Sequence, residues 1–497
     1  MNAKDFLNNV SKEIKYKPAN KYISDELESH IEELKNDNLC KGLSEEQAEE
    51  TAVEQMGDAK KIGKRLNKIH RPKLDWITLI LTIILILWGG GYYKLLYPDV
   101  FVGKGFAGLN DFITNKIEYI VYILVMLFSI FLYFYDYRKI CKHSKLFYII
   151  ATSLNIIAYF RGFRANGNLI YGLWPFAAIS PSAITIPLYI IAFSGFMNDI
   201  NKESKIKIIV SDQKTINPNI IKIAGLAIIS VITSLMISFV SGFFVTFVYM
   251  IISVREFIKE KNNKNTITFI VSSILLFSLL ASIICIVPLK WDMRDYYEPS
   301  SAYWVGAETE GEQRINFVRS EVFKTAKLFG KSDLSNAPIQ NEYGYFWDIS
   351  RYFYPRGDFA FLGMISRYGW IASFGLVGLL LLFNIKLIIN AIKMKDRYGK
   401  LLVIGISSLY IVQTVCNLLM NLGIIGVAEF NLPFISGGDV EWLINVLCMS
   451  LILSVYRRKD INFEEPQKSK LATKIEDFLF EDVEGNEEGV EVTNAYK

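Results

Sequence analysis

The sequence has 497 residues, of which 52% are hydrophobic and 14% aromatic, and its mean hydropathy is +0.26. The apolar residues come in long blocks, so the composition excludes a purely soluble fold and indicates a polytopic membrane protein. The formal net charge of +4 excludes little until the charges are placed along the chain. The five cysteines form no CxxC motif, and three histidines argue against a histidine-based zinc site or a Ser-His-Asp triad.

Residues 1–72 are polar and carry helical patterns, which predicts a small soluble helical bundle and no signal peptide. The segment Ser44-Glu45-Glu46-Gln47 is a capping box that predicts the start of a third helix, and Gly57 is suited to end it. Asp58 is then predicted to cap a fourth helix.

Residues 73–459 carry the membrane part. Most spans are predicted from single apolar runs of about 20 residues. The run Ile223–Val254 is long for one span, and Ser238 and Ser241-Gly242 near its middle allow a tight hairpin of two short helices. The runs are Trp76–Tyr93, Tyr119–Tyr135, Leu146–Phe160, Ala165–Met197, Ile223–Val254, Asn265–Leu289, Phe359–Ile385, Leu401–Ala428 and Trp442–Tyr456.

The placement of Lys and Arg decides the number of spans. With two helices in Ile223–Val254, the basic loops 135–145, 198–222, 255–264 and 386–400 share one side of the membrane, as the positive-inside rule requires. The predicted fold class is therefore all-α, with ten transmembrane helices after the soluble bundle and both termini in the cytoplasm. Residues 288–358 form a long outer loop, and residues 460–497 form an acidic, disordered cytoplasmic tail.

A carboxylate stands where the long loop meets a span. Gly357-Asp358 directly precedes the apolar run that begins at Phe359. Asp358 is either a helix cap or a chemical group at the membrane surface, and the two roles are compatible because a capping carboxylate can also act as a base.

Amide side chains mark one face of the ninth span. Gln413, Asn417 and Asn421 are spaced by four residues, so they lie on one side of a helix. Such amides either bond neighbouring helices or line a cavity, because hydrocarbon cannot satisfy them.

Three further features are candidates for binding. The turn Ser436-Gly437-Gly438 offers bare backbone N–H groups to a phosphate, or is a plain loop. Prolines 175, 181 and 187 predict a kinked or broken fourth span. Arg314 and Arg319 in the outer loop can pair with an anionic headgroup or stay solvated.

Together these residues resemble a known family. The stretch Gln413, Asn417, Met420-Asn421-Leu422-Gly423 and Leu432-Pro433-Phe434-Ile435-Ser436-Gly437-Gly438 is similar to the C-terminal signature of the SEDS family, the FtsW/RodA/SpoVE proteins of cell shape, division and sporulation. The segments Phe329-Gly330-Lys331, Gln313-Arg314-Ile315 and Asp358-Phe359-Ala360-Phe361 resemble its outer-loop motifs. Separately, Gly42–Ala48 with Gln55–Ala59 resembles the permease prefix domains of bacterial membrane proteins.

The SEDS resemblance implies a peptidoglycan glycosyltransferase of the bacterial cytoplasmic membrane that polymerises lipid II beside a class B penicillin-binding protein. It implies that Asp358 is the catalytic base. Nearby backbone donors or a cation, such as Arg314, Arg356 or Mg²⁺, would then stabilise the pyrophosphate leaving group. The outer loop and the amide face of the ninth span would shape the cavity. The residues expected to bind substrate are Arg314, Arg356, Gln413, Asn417, Asn421, Ser436, Gly437 and Gly438.

The sequence also departs from the family pattern. Where the family has Gln-Pro-Ser-Glu followed by a Lys in the fourth span, this chain has Ser180-Pro181-Ser182-Ala183 and then Ile186. Two alternatives therefore stay open. One is a flippase for a lipid-linked oligosaccharide, and the other is a non-catalytic scaffold that docks a penicillin-binding protein.

Overall fold

A computed structural model describes residues 2–70, 75–96, 109–165, 168–173, 176–207, 218–259, 310–333, 339–340, 346–347, 357–394, 396–426, 430–435 and 439–459. The chain divides into two compact units. The first comprises Met1–Lys73 with Arg458–Lys497, and the second comprises Leu74–Arg457.

The N-terminal unit contains helices α1 to α4. Ser44 forms the predicted capping box at the start of α3, since its side chain accepts a hydrogen bond from the backbone N–H of Gln47 and the Gln47 side chain accepts one from Ser44. Asp58 Oδ1 accepts hydrogen bonds from the backbone N–H groups of Lys60 and Lys61, which lower the pKa of its carboxyl. The helices are Ala3–Glu13, Lys17–Cys40, Glu45–Met56 and Ala59–His70.

The membrane unit consists mainly of helices α5 to α16 with a few short strands, and the predicted all-α class is confirmed. Within the described residues, five helices are long and apolar enough to cross a membrane. The count of ten spans stays a prediction, because the run Asn265–Leu289 lies outside the described residues. The helices are Trp76–Leu96, Leu109–Phe134, Tyr137–Cys141, Ser144–Arg161, Pro181–Lys207, Pro218–Ile237, Phe239–Lys259, Glu310–Thr325, Ala360–Tyr368, Trp370–Ile392, Arg397–Asn421 and Asp439–Arg457.

Helix α15 (Arg397–Asn421) is the centre of this unit. It packs against α9 (Pro181–Lys207), α11 (Phe239–Lys259), α14 (Trp370–Ile392) and α16 (Asp439–Arg457), and 78% of it is buried. A helix that is apolar all round needs such an environment. Most side chains of α15 are therefore enclosed by the rest of the unit.

The long apolar run after residue 222 is two helices. Helix α10 (Pro218–Ile237) ends and α11 begins on either side of Ser238, as the hairpin prediction requires. A Cβ at Gly242 would lie 2.4 Å from the Leu235 side chain, so the turn needs glycine at this position.

The prediction that the run Ala165–Met197 forms a single span is wrong. Its first part forms strands β1 (Phe163–Ala165), β2 (Asn168–Leu173) and β3 (Phe176–Ile179), in the antiparallel order β1-β2-β3. Ala165 pairs with Asn168 across an Asn-Gly sequence, which is the strongest two-residue hairpin signal and overrides the apolar composition. Pro181 then opens α9, and Pro187 lies inside it.

The predicted outer loop contains helix α12 (Glu310–Thr325) and a short pair of strands, β4 (Ile339–Gln340) and β5 (Phe346–Trp347). The acidic tail 460–497 lies outside the described residues.

Charged groups cluster where α15 begins. Asp396 caps α15 by accepting hydrogen bonds from the N–H of Gly399 at 2.6 Å and the hydroxyl of Tyr137 at 2.9 Å. Glu256 on α11 is buried and forms ion pairs with Arg255 and Arg397. Because α15 is 25 residues long, this cluster lies about 36 Å from Asn421 at the other end of the helix.

Candidate functional site

Asp358 lies in a short 3-10 turn, Gly357–Phe359, that leads into helix α13 (Ala360–Tyr368). The N-cap residue of α13 is Phe359. Asp358 precedes it by one residue and so does not occupy the N-cap position. Its side chain is half-buried, whereas residues 359–366 are all buried. The carboxylate is therefore at the edge of the protein core, with the helix packed behind it.

Two buried amides hold the backbone of this turn. The side-chain N–H groups of Asn417 and Asn421 both donate hydrogen bonds to the carbonyl oxygen of Asp358, at 2.8 and 2.9 Å. Asn421 Oδ1 accepts a hydrogen bond from the N–H of Leu362 at 3.3 Å. Both asparagines have no exposed side-chain surface. They therefore position Asp358, and the substrate-binding role expected of them stays a prediction.

Asn417 also connects the turn to a second segment. Its side-chain amide donates to the carbonyl oxygen of Phe430. The next residues turn sharply at Phe434, which has a φ of +68° and is packed against the ring of Tyr410. A left-handed phenylalanine is strained, and such strain concentrates at functional sites.

Arg319 on α12 closes the end of α15. Its guanidinium donates hydrogen bonds to the carbonyl oxygens of Met420 and Asn421, both at 3.1 Å, and to Asn316 Oδ1 at 2.7 Å. A cation at a helix C-terminus satisfies the last carbonyls and the helix dipole. The sequence left open whether this arginine pairs with an anionic headgroup or stays solvated, and in the structure its guanidinium bonds the helix end.

The membrane unit contains a cleft with an empty volume of about 640 Å³, including its open mouth. It is bounded by α9, the α10–α11 junction, α15, α16 and residues 431–433. Gln413 faces this cleft, one helical turn before Asn417. The other polar residues that line it are Ser182, Ser238, Ser241, Asn431, Glu441 and Asn445.

The fourth span contributes to the cleft the residues at which the sequence departs from the family pattern. Ala183 and Ile186, which stand where the family pattern has Glu and Lys, both line it. Glu441 from α16 carries the carboxylate there, and none of the described lining residues is Lys or Arg. Sequence reasoning missed Glu441 and Asn445, although their spacing of four residues at the start of the last span places them on one face.

Of the remaining predicted site residues, only Arg314 lies within the described part of the chain. Arg314 lies on α12, in the same helix as Arg319. Arg356, Ser436, Gly437 and Gly438 lie outside the described residues.

The described residues do not offer a metal centre. Within the ranges that the structure describes, no three His, Cys, Asp or Glu side chains are grouped as metal ligands. Mg²⁺ prefers an octahedral set of oxygen ligands with one or two carboxylates. The expectation of a divalent cation such as Mg²⁺ therefore stays a prediction.

Comparisons with known proteins show which families and folds this chain is similar to. Residues 353–461 match the FtsW/RodA/SpoVE family, described as cell cycle proteins. The chain is similar to the probable peptidoglycan glycosyltransferase FtsW of Enterococcus hirae, with 29% identity over 102 residues. That match covers 20% of this chain and spans 26% of the length of the curated relative.

Solved structures share the fold. A mutant of the rod shape determining protein RodA of Thermus thermophilus superposes with a TM-score of 0.50 and 14% identity, covering 78% of this chain and 98% of RodA. A chain of a peptidoglycan synthase complex that coordinates polymerization and crosslinking gives a TM-score of 0.51 and 17% identity, with the same coverage of both chains.

The family match covers Asp358, both asparagines and the turn that follows them, while the fold extends the likeness over most of the chain. This chain is therefore similar to the FtsW/RodA/SpoVE family in residues 353–461 and shares the RodA fold over most of its length.

Proposed function

We propose that this protein is a peptidoglycan glycosyltransferase that polymerises lipid II, with Asp358 as its general base. The observation that carries the proposal is the pair of hydrogen bonds that Asn417 and Asn421 donate to the Asp358 carbonyl oxygen. They fix the backbone that bears a half-buried carboxylate at the end of a membrane bundle. The family match and the similarity to an FtsW named as a probable peptidoglycan glycosyltransferase supply the reaction class.

The chemistry needs one base and one leaving group. A sugar hydroxyl is a poor nucleophile until a positioned carboxylate accepts its proton. The hydroxyl oxygen then bonds to the anomeric carbon of the lipid-linked sugar, and the bond from that carbon to the lipid pyrophosphate breaks. The proton passes to Asp358, and the pyrophosphate leaves with the bonding electrons.

The cleft is suited to the carbohydrate part of such a substrate. Its lining is rich in hydroxyl and amide groups, which recognise sugar hydroxyls and N-acetyl groups. Glu441 adds a strong acceptor and repels a second anion, so the pyrophosphate is expected to lie outside this cleft.

The setting follows from the same proposal. The positions of the basic loops support a topology with both termini in the cytoplasm and Asp358 at the outer face of the bacterial cytoplasmic membrane. A class B penicillin-binding protein is the expected partner, because polymerised strands must be crosslinked. Support comes from a structural neighbour that is part of a peptidoglycan synthase complex.

The test is a gel assay of purified full-length protein with labelled lipid II, with and without a candidate penicillin-binding partner. Wild type is expected to form polymer, and Asp358→Asn is expected to form none while folding and inserting normally. The matched control is Asp333→Asn, which changes an exposed aspartate of the outer loop outside the site.

Two results would contradict the proposal. Polymer from Asp358→Asn at the wild-type rate would remove Asp358 as the base. Well-folded wild type that forms no polymer with any partner, while still binding one, would favour the scaffold. Ala183 and Ile186 in the cleft are the specific observation behind that second function.

A further inference from the structure

A short segment of the outer loop is tied to the beginning of a membrane span. Residues 327–332, here named the strap, pair with residues 366–371. The N–H groups of Trp370 and Ile371 donate to the carbonyl oxygens of Lys327 and Leu328, both at 3.1 Å. In the other direction, the N–H groups of Gly330 and Ser332 donate to the carbonyl oxygens of Tyr368 at 3.0 Å and Ser366 at 2.7 Å.

These bonds fix the strap at the depth where α14 starts. The first N–H groups of a helix have no partner within the helix, and the strap carbonyls satisfy two of them. Gly369 makes the approach possible, because a Cβ there would lie 2.6 Å from the Lys327 carbonyl oxygen. Since α14 is a candidate membrane span that begins at Trp370, the strap lies at the level of the bilayer surface.

The tip of the strap is apolar and exposed. Leu328 and Phe329 each keep 67% of their surface accessible. Lys327 and Lys331 flank them and are also exposed. A pair of large apolar side chains between two lysines is typical of segments that lie in a membrane interface, where the lysines reach phosphate groups.

The exposed apolar surface continues from the strap onto α14. Ile371 is 47% exposed and Phe374 is 43% exposed, and only 33% of α14 is buried within the chain. Trp370 stacks on Phe374, with ring centroids 5.6 Å apart, at the position where interfacial tryptophans usually lie. The strap is therefore the upper edge of a surface that faces lipid.

We propose that the strap is a membrane anchor: Leu328 and Phe329 insert into the headgroup and acyl boundary of the leaflet on the α12 side, and Lys327 and Lys331 bind phospholipid phosphates. The continuity with the lipid-facing side of α14 favours the bilayer over a protein partner as the occupant. The anchor holds α12, with Arg319, at a fixed depth over the end of α15. It does not depend on the proposed enzymatic activity.

The test places a photoreactive benzoylphenylalanine at position 329 of the full-length protein, reconstituted in vesicles of phosphatidylcholine with and without phosphatidylglycerol. The matched control carries the same group at Asn316, which is exposed on α12, away from the strap. Mass spectrometry after irradiation should find phospholipid adducts at position 329 with a yield roughly fivefold or more above position 316. Phosphatidylglycerol should raise the yield, and Lys327→Gln with Lys331→Gln should remove that increase.

Equal lipid yields at the two positions, or an adduct to polypeptide at position 329, would overturn the anchor. If the photoreactive variants do not fold, Phe329→Trp and Asn316→Trp give the same decision by quenching with lipids brominated near the headgroup. Quenching above the wild-type background only for Phe329→Trp supports the anchor, and equal quenching rejects it.

Discussion

The side-chain amide of Asn421 donates a hydrogen bond to the backbone carbonyl oxygen of Asp358 at 2.9 Å, across 63 residues of sequence. The bond joins the end of α15 to the turn that carries the proposed base. A second amide from Asn417 and the N–H of Leu362 complete the connection. A base is useful only where it is held, so the fixed backbone matters as much as the carboxylate.

Asn421→Ala is expected to lower the rate of polymerisation by on the order of 10- to 100-fold, because it frees the Asp358 turn to move. The change also leaves the buried N–H of Leu362 without its partner, at a cost of about 1–3 kcal/mol of folding stability. Initial rates of lipid II polymerisation and the thermal unfolding midpoint measure the two effects.

The matched control for that experiment is Asn384→Ala. Asn384 is equally buried, but its amide donates to Leu380 O within its own helix α14 at 2.8 Å. This variant should lose stability with little change in the rate per folded molecule. If both variants lose activity in proportion to stability alone, the positioning role of Asn421 is wrong.

Gly369 offers a second test, on stability. It has a φ of +87°, and an added Cβ would meet the carbonyl oxygens of Lys327 and Leu328. Gly369→Ala is therefore expected to destabilise the protein by about 1–3 kcal/mol through backbone strain. Thermal unfolding of the purified protein, followed by tryptophan fluorescence, provides the measurement.

Gly375→Ala is the control for this glycine. Gly375 lies inside α14, with open space around its missing Cβ. Alanine there should be neutral or stabilising by about 0.5–1 kcal/mol, because glycine is unfavourable inside a helix. Equal unfolding midpoints for the two alanine variants would mean that the strap does not approach Gly369 as closely as described.

Local patterns in the sequence predicted much of the fold. The capping box at Ser44 and the break at Ser238 each depend on a few neighbouring residues, and the structure has both. The spacing of Asn417 and Asn421 likewise placed them on one face. The hairpin before α9 was not predicted, because the apolar composition of the run suggested a helix and obscured the two-residue turn signal Asn166-Gly167.

Tertiary contacts account for what the sequence did not reveal. Glu441 reaches the cleft of Gln413 only because α16 packs beside α9 and α15. Arg319 was expected to pair with a headgroup or to stay solvated, and nothing local indicates that it bonds carbonyls about 100 residues later in the chain. Such pairings depend on how the helices assemble.

Glu441 is expected to determine how tightly the substrate binds. Glu441→Gln keeps the shape of the cleft and removes the charged acceptor, so the apparent KM for lipid II should rise about tenfold, as for the loss of a hydrogen bond to a charged group. The maximal rate should change less, since the base is elsewhere. Glu321→Gln, on α12 outside the cleft, is the control. An unchanged KM for Glu441→Gln would exclude the cleft as a binding site for the sugar.

The buried ion cluster at the other end of α15 separates stability from catalysis. Glu256 is 2% exposed and pairs with Arg255 and Arg397, so Glu256→Gln leaves two partly buried guanidinium groups without their counter-charge. A loss of about 3–5 kcal/mol in folding stability is expected. Glu256→Met combined with Arg397→Met removes charges of both signs and should recover part of that loss.

The cluster lies about 36 Å from the Asp358 turn, so the remaining folded protein should polymerise at the wild-type rate per molecule. A variant that keeps its unfolding midpoint would show that solvent screens these charges, and a folded variant with a slow rate would show coupling between the two ends of α15.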